Sequence, residues 1–266
     1  PAIVFPIVMR GNNLALDDLV VSQGKAPLID ITKLRATIDI SPKLLTVKKF
    51  QLSSSFGEAD LTATLGKQWQ HQATLLFNTA INSPYPIDAK LNLKGNLQRS
   101  ELRLSTTGLV DLTASASADL QSKQLPLALD VNWQPVEWPI KQPLVLIEKG
   151  QLTLSGDINQ YKLALDTALK GASVPQSTLT LHAAGNNRQV QLTQLAIDTL
   201  GGQIQASGTI ALDTLAKWQS QLQFTDIQPQ RFWPELDANI RGKLSLNGQY
   251  DGQNVMAQMR ELVASG

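Results

Sequence analysis

The sequence predicts an all-β chain, a long succession of short antiparallel strands, on three observations. The first is strict alternation of apolar and polar residues, clearest between Leu195 and Trp233. There Leu195, Ile197 and Thr199 share one face, then Ile204, Ala206, Gly208, Ile210 and Leu212, then Trp218, Ser220, Leu222 and Phe224, until Pro229 stops the pattern. A period of two with Gly and Asp/Thr punctuation is the mark of half-buried strands. The second is that this unit is echoed at Phe56–Asn78 and Leu104–Pro139, each reading Gly, alternating strand, polar turn, and a strand that enters or leaves at Trp. Self-similarity of this kind points to an elongated architecture built by repetition. The third is composition: Leu, Ile, Val and Ala supply the apolar positions, and Gln, Thr, Ser and Asn fill most of those between.

Taken in order, Pro1–Val8 reads as an extended, Pro-bounded edge segment. Strands follow at Asn12–Ser22 and Leu28–Ser41, the second alternating at Leu34, Ala36, Ile38 and Ile40. In Leu45–Ser54, Lys48-Lys49 between Val47 and Phe50 breaks the parity, which predicts a bulge. Ala59/Leu61/Ala63/Leu65 and Ala73/Leu75/Phe77 form the next pair, and Ser83–Pro86 is a turn. Ile87/Ala89/Leu91/Leu93 and Leu102/Leu104/Thr106 continue the ladder, followed by Leu112–Leu120 and Leu127–Trp133. Pro139 and Pro143 mark a candidate seam near 139–150 within one continuous segment. Beyond it come Leu152/Leu154, Leu163–Leu169, Leu179–Ala183, Val190/Leu192 and Ala238–Leu246. The tail Val255–Gly266 fits a strand or a helical turn, and Asp213–Gln221 is the one other window that admits a helix.

The total is roughly sixteen strands, which laid side by side at about 4.8 Å each would extend about 75 Å. A flat sheet of that width curls or splits. The sequence therefore demands either a closed sandwich or a curved, twisted trough, with an aliphatic face in almost every strand.

Bulk properties exclude several functions. Lys and Arg number 23 against 22 Asp and Glu, for a net charge of +1 and 17% charged residues, below the usual quarter or so. The signs are interspersed, with no basic patch or arm, which argues against nucleic acid as partner. There is no cysteine, so structural disulfides and thiolate metal sites do not arise. No run of about 18 apolar residues is present. The sequence starts and stops in mid-pattern and reads as an interior piece of a longer protein.

Catalysis is not expected. His71 and His182 sit at alternating strand positions in unrelated segments, with no carboxylate at a telling spacing. Asp17-Asp18 reads as a solvated turn. No G-x-S-x-G, H-E-x-x-H, P-loop or G-x-G-x-x-G motif occurs. Gly201-Gly202 is followed by a strand, so no helix N-terminus faces an anion there. Trp69, Trp133, Trp138, Trp218 and Trp233 fall at strand edges or turn exits, where an indole closes the end of an apolar surface while its N–H stays wet. No cofactor and no metal are expected.

The run Tyr161–Leu212, with Gly150/Leu152/Leu154/Gly156 just ahead of it, carries a longer pattern: Leu169-Lys170-Gly171, Pro175, Gly185-Asn186, Val190/Leu192/Leu195, and Gly201-Gly202 with Gly208. This resembles the TamB family of AsmA-like envelope proteins, specifically across Asn82–Gly266 and more weakly over Pro1–Ile81. One departure is the spacing between Gly208 and Trp218, where Ala211-Leu212-Asp213 intervene.

The resemblance implies a β-taco, an elongated, curved and twisted antiparallel sheet forming a repeating groove with an apolar interior. It implies a periplasmic protein of a Gram-negative bacterium, tethered to the inner membrane by an N-terminal anchor outside this sequence. Its implied partners are phospholipids and the outer-membrane barrel protein TamA. The implied roles are phospholipid transfer between the membranes and assistance to outer-membrane protein assembly. The expected groove lining is Leu61, Ala63, Leu65, Leu75, Phe77, Leu91, Leu93, Leu112, Leu129, Val131, Leu152, Leu154, Leu163, Leu165, Leu179, Leu181, Ile204, Ile210, Leu222 and Phe224. The alternative is a scaffold that aids barrel assembly by strand-edge pairing around an ordinary packed core.

Overall fold

The structure, a computed structural model, describes residues 8–23, 26–80, 83–212, 216–250 and 255–265. The segment expected at Pro1–Val8 lies outside these residues apart from Val8, as does 213–215 of the window that admitted a helix. The chain divides into two compact units, Pro1–Leu125 and Pro126–Gly266.

The first unit is a meander. Its strands are β1 Met9–Gln23, β2 Ala26–Ser41, β3 Leu44–Ser54, β4 Gly57–Gly66, β5 His71–Thr79, β6 Ile87–Gly95, β7 Ser100–Gly108 and β8 Leu112–Ala118. Each is antiparallel to the next. The parity break at Lys48-Lys49 is a register shift between Val47 and Phe50 against β4. Two residues are accommodated there, so both apolar side chains stay on one face.

The second unit holds β9 Leu127–Trp133, β10 Val136–Trp138, β11 Val145–Ile147, β12 Gly150–Asp157, β13 Gln160–Gly171, β14 Ser177–Gly185, β15 Gln189–Thr199, β16 Gly202–Leu212, β17 Ala216–Ile227, β18 Ile240–Tyr250 and β19 Val255–Ser265. From β12 to β19 each strand pairs with the next. β9 pairs with β12, β10 with β11, and β11 with the far end of β13. The passage 139–150 thus holds the turn and the kink of one interrupted hairpin. Pro135, which has no N–H to give a ladder, breaks one arm, and Glu148-Lys149 breaks the other. At the break the Glu148 carbonyl accepts from Trp133 Nε1 (3.0 Å) and from Thr167 Oγ1 (3.3 Å).

Among the described residues there are nineteen strands rather than sixteen. The excess is β10 and β11, three residues each and too short to display alternation, together with the tail strand β19. From Ala216 the window that admitted a helix is strand, because Lys217, Gln219 and Gln221 face out while Trp218, Ser220 and Leu222 face in.

In each unit the strands touch through their ladders, and the slight burial of the described residues leaves no second layer packed over either face. Among the described residues only Ala36, Ala196 and Ile227 are buried hydrophobics, and no large side chain is fully buried. Even so the apolar face is the less accessible one. In β4, Ala59, Leu61, Ala63 and Leu65 are half-buried, whereas Glu58, Asp60, Thr62 and Thr64 are exposed. Large aliphatic side chains on neighbouring strands shield one another.

Candidate functional site

Register places the expected lining residues on continuous rows. In the first unit Leu61 faces Leu75, Leu75 faces Leu91, and Leu91 faces Leu104. In the other direction Leu61 faces Phe50, Phe50 faces Ala36, and Ala36 faces Leu14. Ala63 and Leu93 lie on a parallel row through Ala73. Phe77 reaches Leu112 through Ala89 and Thr106, and Leu65 ends a fourth row at His71. All eight residues expected in this unit share one face.

In the second unit Val131, Leu152, Leu165, Leu181, Leu195, Ala206, Leu222 and Leu244 are successive partners. Leu129, Leu154 and Leu163 run beside them toward Ala183 and Leu192. Leu179, Ile197, Ile204 and Phe224 form the row on the other side. Ile210, the most exposed of the set at 41%, lies opposite Val190 and Trp218 near the border. The twelve residues expected here also share one face.

Residues of the same rows absent from the sequence-based set include Leu34, Phe50, Leu102, Leu104, Leu195 and Leu244. Leu195 lies three residues from Leu192, and a register shift at that point keeps the two on one face. A count by twos along the sequence loses such residues; the bulge restores them.

Aromatic rings and glycines mark the borders. Trp133 lies opposite Gly150, Tyr161 opposite both Gly156 and Gly185, and Trp218 opposite Gly248. A Cβ on Gly150 would stand 2.4 Å from the Trp133 ring and one on Gly185 2.7 Å from Tyr161 Oη. The ring folds across the strand and covers backbone that glycine leaves bare. Trp69, Trp138 and Trp233 are exposed instead, in a turn, at the end of β10 and in the β17–β18 connection.

The opposite face is polar and tied by cross-strand hydrogen bonds. Gln51 donates to Asp60 (2.8 Å), Asn78 to Asp88 (2.8 Å), Gln151 to Asp130 (2.8 Å), and Thr180 to Asp166 (2.9 Å). A concavity of about 640 Å³ over β15 to β18 is lined by Gln194, Gln205, Ser207, Gln221, Gln223 and Ser245, with Lys243 as its one charged side chain. It holds no acid–base pair. His71 Nδ1 stands 2.9 Å from the Trp69 carbonyl and Nε2 2.9 Å from Ser100 Oγ. The carbonyl can only accept, which fixes Nδ1 as a donor. His182 lies on the exposed polar face, opposite Ala164 and Gln194. Among the described residues no group of three His, Cys, Asp or Glu could hold a metal ion. No helix among them is long and apolar enough to cross a membrane.

Such a chain, built of antiparallel ladders with one aliphatic and one polar face, is of the all-β class. Comparison with known proteins agrees. Residues 1–266 match the family described as TamB, N-terminal domain, and the chain belongs to it. It is 24% identical over 233 residues to the translocation and assembly module subunit TamB of Haemophilus influenzae, covering 83% of this chain and 18% of that one. It is 22% identical over 180 residues to an uncharacterized protein of Buchnera aphidicola, covering 63% and 18% respectively. The chain therefore spans about a fifth of the length of these relatives. No solved structure matches it.

Proposed function

We propose that the apolar face of each unit holds phospholipid acyl chains, as part of a periplasmic conduit between the inner and outer membranes. One observation carries this reading: a continuous aliphatic face that, among the described residues, is only half-buried, with no layer packed over it. An acyl chain needs a dry, non-directional track, and alternate aliphatic positions supply one. Each methylene taken from water gains about 0.8 kcal/mol. Relative to a bilayer the transfer is nearly neutral, because hydrocarbon exchanges one apolar surrounding for another. Passage then needs no nucleotide chemistry, and direction is imposed elsewhere.

In this reading the whole protein is tethered to the inner membrane, has the barrel TamA as its partner, and aids outer-membrane protein assembly. The name of the Haemophilus influenzae relative, translocation and assembly module subunit TamB, supports the assembly role. Native mass spectrometry of the purified chain tests the lipid reading. Bound phospholipid or detergent is expected, and a protein free of both in every preparation contradicts it.

The second reading, a scaffold for outer-membrane strands, draws on β1 and β19. Among the described residues each is bonded on one side only, and a free edge can accept another strand. Crosslinks from these edges to nascent barrels, with none from the apolar face to acyl chains, would favour it.

A further inference from the structure

Where β13, β15 and β17 end, a cleft of about 750 Å³ opens between the β13–β14 turn, the β15–β16 turn and the short 3-10 helix Pro229–Arg231. Its charged side chains are Arg231, Lys170 and Asp198. Asp198 already accepts from Thr178 Oγ1 (3.1 Å) and Gln203 Nε2 (2.7 Å), and Lys170 is paired with Glu148 (2.8 Å). Arg231 differs. Its Nε donates to Gln228 Oε1 (2.7 Å), and its two terminal nitrogens have no acceptor among the described residues.

The guanidinium is also held in place. It lies against Gly201, whose φ of +78° and missing Cβ both matter: a Cβ there would stand 2.3 Å from Arg231 Cζ. Gln228 fixes one edge of the fork and Gly201 supports its plane, so the remaining donors are presented at little entropic cost. A planar, fixed guanidinium with paired free donors suits a phosphate oxyanion.

The surroundings make the site amphipathic. Ser177 and Thr199 line the cleft, and two residues further along the same strands lie Leu179 and Ile197 of the aliphatic face. Two strand residues cover about 7 Å. The cleft that Arg231 lines therefore borders the acyl-chain track.

We propose that this cleft binds the phosphate of a phospholipid headgroup whose tails lie on the apolar face, a proposal that rests on the acyl-chain reading above. Titration calorimetry of the 266-residue chain with three probes tests it: dihexanoyl phosphatidylglycerol, dihexanoylglycerol with the same tails, and glycerol phosphate. The phospholipid should bind at least tenfold more tightly than the diacylglycerol. Arg231→Gln should bring the two within about twofold while leaving diacylglycerol binding unchanged, and Arg231→Lys should recover part of the difference. Lys170→Gln should have the smaller effect, since Lys170 already has a partner. A phosphate-dependent gain that survives Arg231→Gln, or no gain at all, overturns the site while sparing the groove. Glycerol phosphate binding as tightly as the lipid identifies a free-phosphate site and overturns the headgroup assignment. Failure of the diacylglycerol itself to bind sinks the acyl-chain reading beneath both.

Discussion

Trp218 stands directly across the ladder from Gly248, and its ring fills the space a side chain would need: a Cβ on Gly248 would lie 2.1 Å from Trp218 Cζ2. Gly248→Val forces the indole off the sheet. Overpacking of this kind costs about 1–3 kcal/mol. Urea denaturation should show a lowered midpoint, with Trp emission shifted to the red before unfolding begins. An unchanged midpoint would mean that the ring does not rest on the glycine.

An open face and a packed core respond differently to truncation. Leu181 lies in the middle of its row yet is only half-buried. Leu181→Ala should cost about 1 kcal/mol, against the 2–5 kcal/mol of a close-packed interior. A cost above about 3 kcal/mol would require a layer packed over this face.

Ser177 and Thr199 are the buried polar residues of the described chain, with Ser177 Oγ 2.8 Å from Thr199 Oγ1. Ser177 also donates to the Pro175 carbonyl at 2.9 Å, so it bridges strand and turn. Thr199→Val should cost about 1 kcal/mol by stranding a partner. The double variant with Ser177→Ala should cost less than the sum of the singles. Strict additivity would mean that the two hydroxyls act independently.

Two carboxylates, Asp17 exposed and Glu101 half-buried, give a weak acid dependence. The hydrogen bond from Arg35 (2.9 Å) holds Asp17 below the usual carboxylate range, and Arg99 followed by Lys94 does the same for Glu101. A lowered folded pKa means stability present above the unfolded pKa, near 4, and lost as pH falls through the folded one. Asp17→Asn and Glu101→Gln should each lower stability slightly at neutral pH, flatten the profile below about pH 4, and converge on the wild type at lower pH. Both effects should shrink in high salt, since exposed pairs are screened. A variant whose profile keeps the wild-type acid slope would deny its pair that role.

The sequence displayed the faces well and their surroundings poorly. Alternation assigned Leu61, Leu91, Leu165 and Phe224 to one side, and Lys48-Lys49 disclosed the bulge, because both signals are local. Strands β10 and β11 were hidden because three residues are too few for a period to show. Arg231 against Gly201 was hidden because thirty residues separate them and nothing local links a guanidinium to a distant turn. Gly201 was visible as a break. Its positive φ, next to Leu200 at +52°, makes a two-residue primed turn. Above all, an inward face reads the same whether protein or lipid covers it, so alternation could not separate a sandwich from a trough.

The most direct test uses photo-crosslinking residues placed in the whole protein in cells, at neighbouring positions that face opposite ways. Leu181 and Leu222 point to the aliphatic face, Thr180 and Gln221 to the polar one. Phospholipid adducts at Leu181 and Leu222, with none at Thr180 and Gln221, are the predicted result. Lipid at no position, or equally at all of them, would contradict the claim that acyl chains occupy this face.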